Sequence, residues 1–354
     1  IETIFDKLRR VSTEDMIMFN VQFANMIGAG IDILSSLLTM AKQIENKRLK
    51  ETIGDVARNI EAGESFSSAL TRHPRVFSKL FVNMVKAGEA SGKLSEVLNR
   101  FAKFSEHQAE LRQKIKGALF YPIILLFAGI AVTLFIITFI IPQFAEIFLK
   151  TGIRLPLVTL ILYKIGLTIK HFWFSFILLL IAVVLGIRFY TSTDSGRFKI
   201  DILKLKLPLL GPLYRKASIS RFSRTLATLV TSGVPILQSL DIVKDVIGNE
   251  VLAYVLGNVR NSLERGQSLS EPLKISEEFP ADAVAMISVG EETGNLDGML
   301  NKISDFYDMS LGYTIKKLTT LLEPLLLVIM GCMVGFIMAS MLLPIFDMIK
   351  LLRR

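Results

Sequence analysis

Two stretches decide how this chain folds: Val85–Arg100, reading VKAGEASGKLSEVLNR, and Ser288–Lys302, reading SVGEETGNLDGMLNK. Gly88, Glu89, Gly92 and Leu94 of the first stand opposite Gly290, Glu291, Gly294 and Leu296 of the second, about 202 residues apart. Upstream, IEAGESFSSAL at Ile60–Leu70 matches LERGQSLSEPL at Leu263–Leu273, and FANMIGAGIDILSSL at Phe23–Leu37 matches LATLVTSGVPILQSL at Leu226–Leu240. Downstream, Pro122 pairs with Pro324, Gly129 with Gly331, Pro142 with Pro344 and Phe144 with Phe346. A period this long marks a domain duplication rather than a solenoid. Each copy is a polar half of roughly 100 residues followed by one long apolar stretch.

Inside each copy the apolar positions recur at steps of three and four, and sustained period-two alternation is missing, so both read as bundles of about six short helices. Gly30, Gly63 and Gly92, with Gly233, Gly266 and Gly294, fall where a helix ends in the left-handed conformation. Ser12, with Asp15 three residues on, and Ser65 and Ser268 are candidate N-caps.

Hydropathy adds the membrane. The chain has 354 residues, 51% hydrophobic and 21% charged, with a mean hydropathy of +0.49. It is too apolar for an ordinary soluble enzyme and too charged to be wholly embedded. Gly117–Ala145 carries no charge, and neither does His171–Ile187; Leu318–Phe346 holds a single ionisable residue, Glu323. The first and third are long enough to cross a hydrocarbon core of about 30 Å, and the second, at about 17 residues, is near the lower limit for a span. Leu155–Ile169, interrupted by Lys164, reads as an amphipathic approach helix. If both polar halves share one side, spans one and three run in parallel and the second span returns the chain between them.

The expected fold is therefore an all-α membrane protein with two homologous cytoplasmic helical-bundle domains and three transmembrane helices. Its boundaries read as a first helical domain at 1–116, spans at 117–145, 171–187 and 318–346, a short periplasmic loop with the approach helix at 146–170, a second helical domain at 188–317, and a tail at 347–354. Arg112, Lys114 and Lys116 before the first span, and Lys316 and Lys317 before the third, place the polar halves in the cytoplasm. The same five cations are candidates for coupling those halves to the membrane.

The motifs exclude more chemistry than they suggest. GEASGKLS at Gly88–Ser95 is not a phosphate loop: three residues rather than four separate its glycines, Leu94 follows the lysine, and the second copy has Asn295 in the lysine position. It reads instead as a structural corner. Three histidines in unrelated contexts and a lone Cys332 support neither a catalytic set nor a metal site, and no cofactor is implied. Glu89, Glu291 and Glu292 read as solvated loop carboxylates rather than a cation site. The net charge of +9 suits the headgroups of a lipid bilayer, and the basic residues lack the interleaved aromatics of a nucleic-acid surface. Glu323 reads as an interface anchor, with Tyr121 at its counterpart position. Gly331, Gly335 and Ala339 form a small-residue ridge suited to close helix packing, most simply against another span of the same chain.

These residues, together with FYP at Phe120–Pro122, LEP at Leu322–Pro324, LLPIF at Leu342–Phe346 and the run Leu207–Leu240, resemble the inner-membrane platform proteins of type IV pilus and type II secretion machines, the GspF/PilC family. The resemblance covers nearly the whole chain from Val11 to Phe346 and implies a further amino-terminal segment before it. It also implies a non-enzymatic, multi-pass protein of the bacterial inner membrane. The implied partners are a hexameric cytoplasmic assembly or retraction ATPase, pilin or pseudopilin subunits, and other inner-membrane assembly proteins, and a homo-oligomer is expected. The other reading is a transporter or channel built from parallel repeats, but three spans with one buried-range carboxylate offer little to line a pathway.

Overall fold

The computed structural model describes residues 11–150, 155–208 and 210–352, and among these every regular element is helical. The first copy forms α1 (Thr13–Gly28), α2 (Ile33–Gln43), α3 (Lys47–Glu61), α4 (Phe66–Thr71), α5 (Lys79–Ser91) and α6 (Leu94–Phe135). A π-helical segment, Ile136–Ile140, joins α6 to α7 (Ile141–Lys150). Then come α8 (Leu157–Ser192) and α9 (Asp194–Lys206). The second copy repeats the first set as α10 (Gly211–Thr231), α11 (Ile236–Val246), α12 (Glu250–Glu264), α13 (Ser270–Ile275), α14 (Ala281–Thr293) and α15 (Leu296–Leu352). Residues 1–10, the part of the expected periplasmic loop at 151–154, and the basic tail at 353–354 lie outside the described residues.

Local chemistry explains the boundaries. Ser12 and Asp15 make a reciprocal capping box on α1, the Asp15 N–H donating to Ser12 Oγ at 3.0 Å and the Ser12 N–H to Asp15 Oδ2 at 3.1 Å. Asp32, Asn46, Ser65 and Ser78 cap α2 to α5 one-sidedly, each side chain accepting the N–H three residues on. The second copy starts α11 and α14 after Pro235 and Pro280 instead, where proline's fixed φ and missing donor cost nothing at a helix entrance.

Both polar halves belong to one compact unit, made of the chain up to Gln113 together with Asp201–Gly312. Their buried side chains form a single continuous core. The two copies fill equivalent positions with different volumes. In the first, Phe19, Phe23, Phe66, Phe81 and Phe101 form a chain of rings with successive centroids 4.6 to 6.5 Å apart. In the second, the positions of Phe19 and of the neighbouring Phe77 stay aromatic, as Phe222 and Phe279 at 5.1 Å. Leu226, Leu269, Ala283 and Ile303 replace the others, all buried. Complete burial of each large side chain is worth about 1.5–3 kcal/mol. Between the copies, Lys79 of α5 meets Asp245 of α11 at 2.7 Å, and Gln238 Nε2 donates to Asn83 Oδ1 at 2.6 Å.

The second unit, Lys114–Ile200 with the chain from Tyr313 onward, holds the three helices long and apolar enough to cross a membrane. Its centre is Ile141, Leu162 and Ile337, flanked by Ile137, Tyr163 and Met333. Thr159 Oγ1 donates to the Ser340 carbonyl at 2.5 Å, and a Cβ on Gly166 would lie 2.1 Å from the Ile137 carbonyl oxygen, so only glycine permits that approach. The structure differs here from the sequence expectation. The approach segment and the second span form one helix, α8, broken only at Phe172 (φ −109°, ψ 21°). No proline interrupts Leu157–Ser192, and Thr159, Leu162 and Gly166 are buried rather than spread along an interface. The π segment ends two residues before Pro142, whose missing N–H removes the i→i−4 bond to the Thr138 carbonyl and lets the helix widen.

Candidate functional site

The repeated Gly-Glu-x-x-Gly-x-Leu corners sit where each copy turns from its last short helix into its long one. Gly92 and Gly294 end α5 and α14 in the left-handed region, at φ 69° and 67°. The Lys93 N–H donates back to the Gly88 carbonyl at 2.9 Å, closing a Schellman turn. Gly88 and Gly290 serve a different purpose. A Cβ on Gly88 would lie 3.2 Å from Leu94 Cα and Val97, and one on Gly290 would lie 3.1 Å from Leu296 Cα and Met299. Both are buried because the outgoing helix crosses directly over them.

Glu89 and Glu291 are not solvated as the sequence suggests. Glu89 accepts the Phe66 N–H at 2.7 Å and the Ser67 N–H at 3.0 Å, and Glu291 accepts the Leu269 N–H and, at 3.0 Å, the Ser270 N–H. Each carboxylate thus closes the first turn of the short helix α4 or α13 with charge-assisted bonds, one to each oxygen. The corner is a fixed bracket that sets the exit direction of α6 and α15. Glu292 is exposed, and its Oε1 accepts only from the Ser288 hydroxyl, at 3.1 Å.

A polar network that the sequence reading missed joins the two copies. His107 Nε2 of α6 lies 2.7 Å from Asp308 Oδ2 of α15, and Arg224 of α10 donates to Asp308 at 3.0 Å and to Asp305 at 2.6 Å. Ser220 Oγ donates to the other Asp308 oxygen. Burial pushes the Asp308 carboxyl upward, but hydrogen bonds from His107, Ser220 and Arg224 together outweigh it and hold the group below its ordinary value. Nearby, burial and then the bond to Asp282 push the Tyr307 phenol upward. The available signal was the serine and threonine run of α10, where Ser220, Ser223 and Thr225 are all buried. Of these, Ser220 reaches Asp308, whereas the Ser223 and Thr225 hydroxyls are buried without a hydrogen-bond partner among the described residues, so the run points to the helix but not to the carboxylate it serves.

The candidate coupling cations Arg112, Lys114, Lys116, Lys316 and Lys317 are all exposed, and none makes an ion pair with a described residue. They lie on α6 and α15, which run unbroken from the corners into apolar sequence. From its corner leucine, each rod covers 57 residues, Leu94–Lys150 and Leu296–Leu352. The Gly331, Gly335 and Ala339 ridge is exposed, with nothing within 4 Å of a Cβ on either glycine. This corrects the expectation of packing within the chain: α15 instead buries Leu326, Ile337 and Ser340. Glu323 is exposed and bonds to no described residue.

Comparison with known proteins follows the same division. The family model described as type II secretion system (T2SS), protein F, matches twice, at residues 19–142 and 222–344. The type IV pilus assembly protein PilC of Thermus thermophilus is 40% identical over 339 residues, covering 95% of this chain and 83% of that protein. The PilC of Myxococcus xanthus is 36% identical, over 96% of this chain and 81% of its own length. The type II secretion system protein F of Xanthomonas campestris pv. campestris is 32% identical, over 94% and 82%.

Proposed function

Because the chain belongs to the type II secretion system protein F family, we propose that it is a non-enzymatic inner-membrane platform that couples a cytoplasmic ATPase to the insertion of pilin or pseudopilin subunits into a growing filament. The observation that carries this reading is the matched pair of rods. One compact unit contains both copies, and the last helix of each copy continues into an apolar span. A push delivered to that unit reaches both spans through covalent helix rather than through a loop. The Glu89 and Glu291 brackets keep the rods from swivelling at their bases, and the exposed cations between Arg112 and Lys116 and at Lys316–Lys317 sit at the level of anionic headgroups. The outward ridge of Gly331, Gly335 and Ala339, with Glu323 near its start, is the surface we assign to the apolar helix of a subunit in transit. We further propose that the protein acts as a homo-oligomer with its polar copies in the cytoplasm.

The test interrupts the rods without touching either end. Short glycine inserts beside Leu119 and Thr320 should abolish filament or secretion assembly while leaving membrane insertion and abundance intact. Normal assembly from the double insert would refute the coupling.

A further inference from the structure

We infer that the first copy carries a docking groove for an acidic segment of a partner protein, a feature the second copy has lost. The groove lies between α3 and the turn after α4, encloses about 620 Å³, and is lined by Arg48, Asp55, Arg58, Arg72, His73 and Arg75, among others. Four guanidiniums there stand against two carboxylates, Glu51 and Asp55.

Internal pairing uses only part of that charge. Asp55 bonds Arg58 at 3.0 Å and His73 Nε2 at 2.8 Å, and Arg72 is tied to Glu64. Arg48 and Arg75 have no ion pair among the described residues. Two planar forks therefore remain open to a bidentate carboxylate or phosphate.

Comparison with the second copy shows that the scaffold does not require this chemistry. On α12 the positions of Arg48, Asp55 and Arg58 are Val251, Asn258 and Asn261. The turn that carries Arg72, His73 and Arg75 in the first copy is one residue shorter in the second and reads Ser276, Glu277, Glu278. Tyr254 and Ile275 lie exposed on the equivalent face. The helices coincide in order and length while the surface changes from basic to acidic and apolar, so the arginines answer to something outside the fold.

The lining selects among anions. It contains no Phe, Tyr or Trp ring on which a nucleobase could stack, and its one imidazole, His73, is tied to Asp55. Glu51 and Asp55 would repel a multiply charged phosphate, yet they suit a polypeptide whose carboxylates face the arginines and whose backbone or lysine donors face the acids. Proline and valine, Pro74 and Val76, complete the wall and can take an apolar side chain of the same segment.

The experiment uses the full chain in phosphatidylcholine nanodiscs and a short labelled peptide of alternating glutamate and serine, followed by fluorescence anisotropy. Arg48→Gln with Arg75→Gln should weaken peptide binding about tenfold without changing the thermal midpoint. Lys86→Gln with Lys274→Gln, which removes the same charge from other exposed positions, should leave binding unchanged. Equal loss from both pairs would overturn the proposal by reducing it to net charge. So would a groove-variant defect that appears only with phosphatidylglycerol vesicles or inorganic phosphate and not with the peptide. Neither readout depends on filament assembly, so failure here leaves the platform reading untouched, and the reverse also holds.

Discussion

Glu89 and Gly88 are neighbours with opposite requirements. The carboxylate must reach two backbone amides of α4, whereas the glycine must present nothing to the helix above it. Glu89→Ala or Glu291→Ala should destabilise the polar unit by about 1–2 kcal/mol, read as a lower denaturant midpoint. Glu89→Gln should recover part of that loss, since its amide oxygen still accepts one bond. Gly88→Ala should cost about 1–3 kcal/mol, because Val97 and the Leu94 backbone must give way. Asp308 yields a prediction in pH. Its folded-state value lies below the ordinary 3.8, so its stabilisation is complete above that value and disappears only as pH falls through the lower one. Asp308→Asn should lower stability by about 2–3 kcal/mol at neutral pH and flatten the acid limb of a stability profile below pH 3.8. The corner glycines were legible in the sequence because left-handed backbone demands that residue type. The roles of Glu89 and Asp308 were not, because their partners lie about 22 and 80 to 200 residues away, and nothing local marks a carboxylate that has found such partners.

At the level of helices, periodicity and glycine punctuation indicated about six short helices in each copy, of which five are short and the sixth is the base of a long helix that runs into a span, and hydropathy located three spans. The joining of the approach segment to the second span went unseen because a lysine in an apolar run looks like a boundary, although lysine is a good helix former. Gly166 and Gly331 show why small residues in a span cannot be read alike. The first lies against the Ile137 carbonyl, and the second meets open space. Gly166→Val should lower the thermal midpoint of the solubilised protein, with an overpacking cost of about 1–3 kcal/mol or more. Gly331→Val should leave that midpoint unchanged and, if the ridge receives a subunit helix, should reduce filament yield. A drop in stability from Gly331→Val would place the ridge inside the fold after all.

For the molecule as a whole, the platform reading requires both polar copies on one side of the bilayer. Cys332 is the sole cysteine, so a Cys332→Ser background gives a clean labelling system. Single cysteines at the exposed positions Ser68 and Glu271 should both react with a membrane-impermeant maleimide only after the inner face is opened. Labelling of the two from opposite faces would rule out the arrangement. The duplication was plain in the sequence, but the fusion of the two cores was not. A repeat announces two similar folds without saying whether they touch, and buried faces of the same apolar character serve either case.

That fusion has a consequence for how such a gene can be cut. A fragment ending near Gln113 would carry away one half of a shared interior and leave its inner face bare to water. The simplest remedy is for two identical fragments to clasp each other across the exposed seam, restoring by twofold association what the intact chain achieves by covalent linkage. Sedimentation of residues 11–113 should therefore report a pair, and the tethered chain can be viewed as a dimer whose halves have been free to specialise since they were joined.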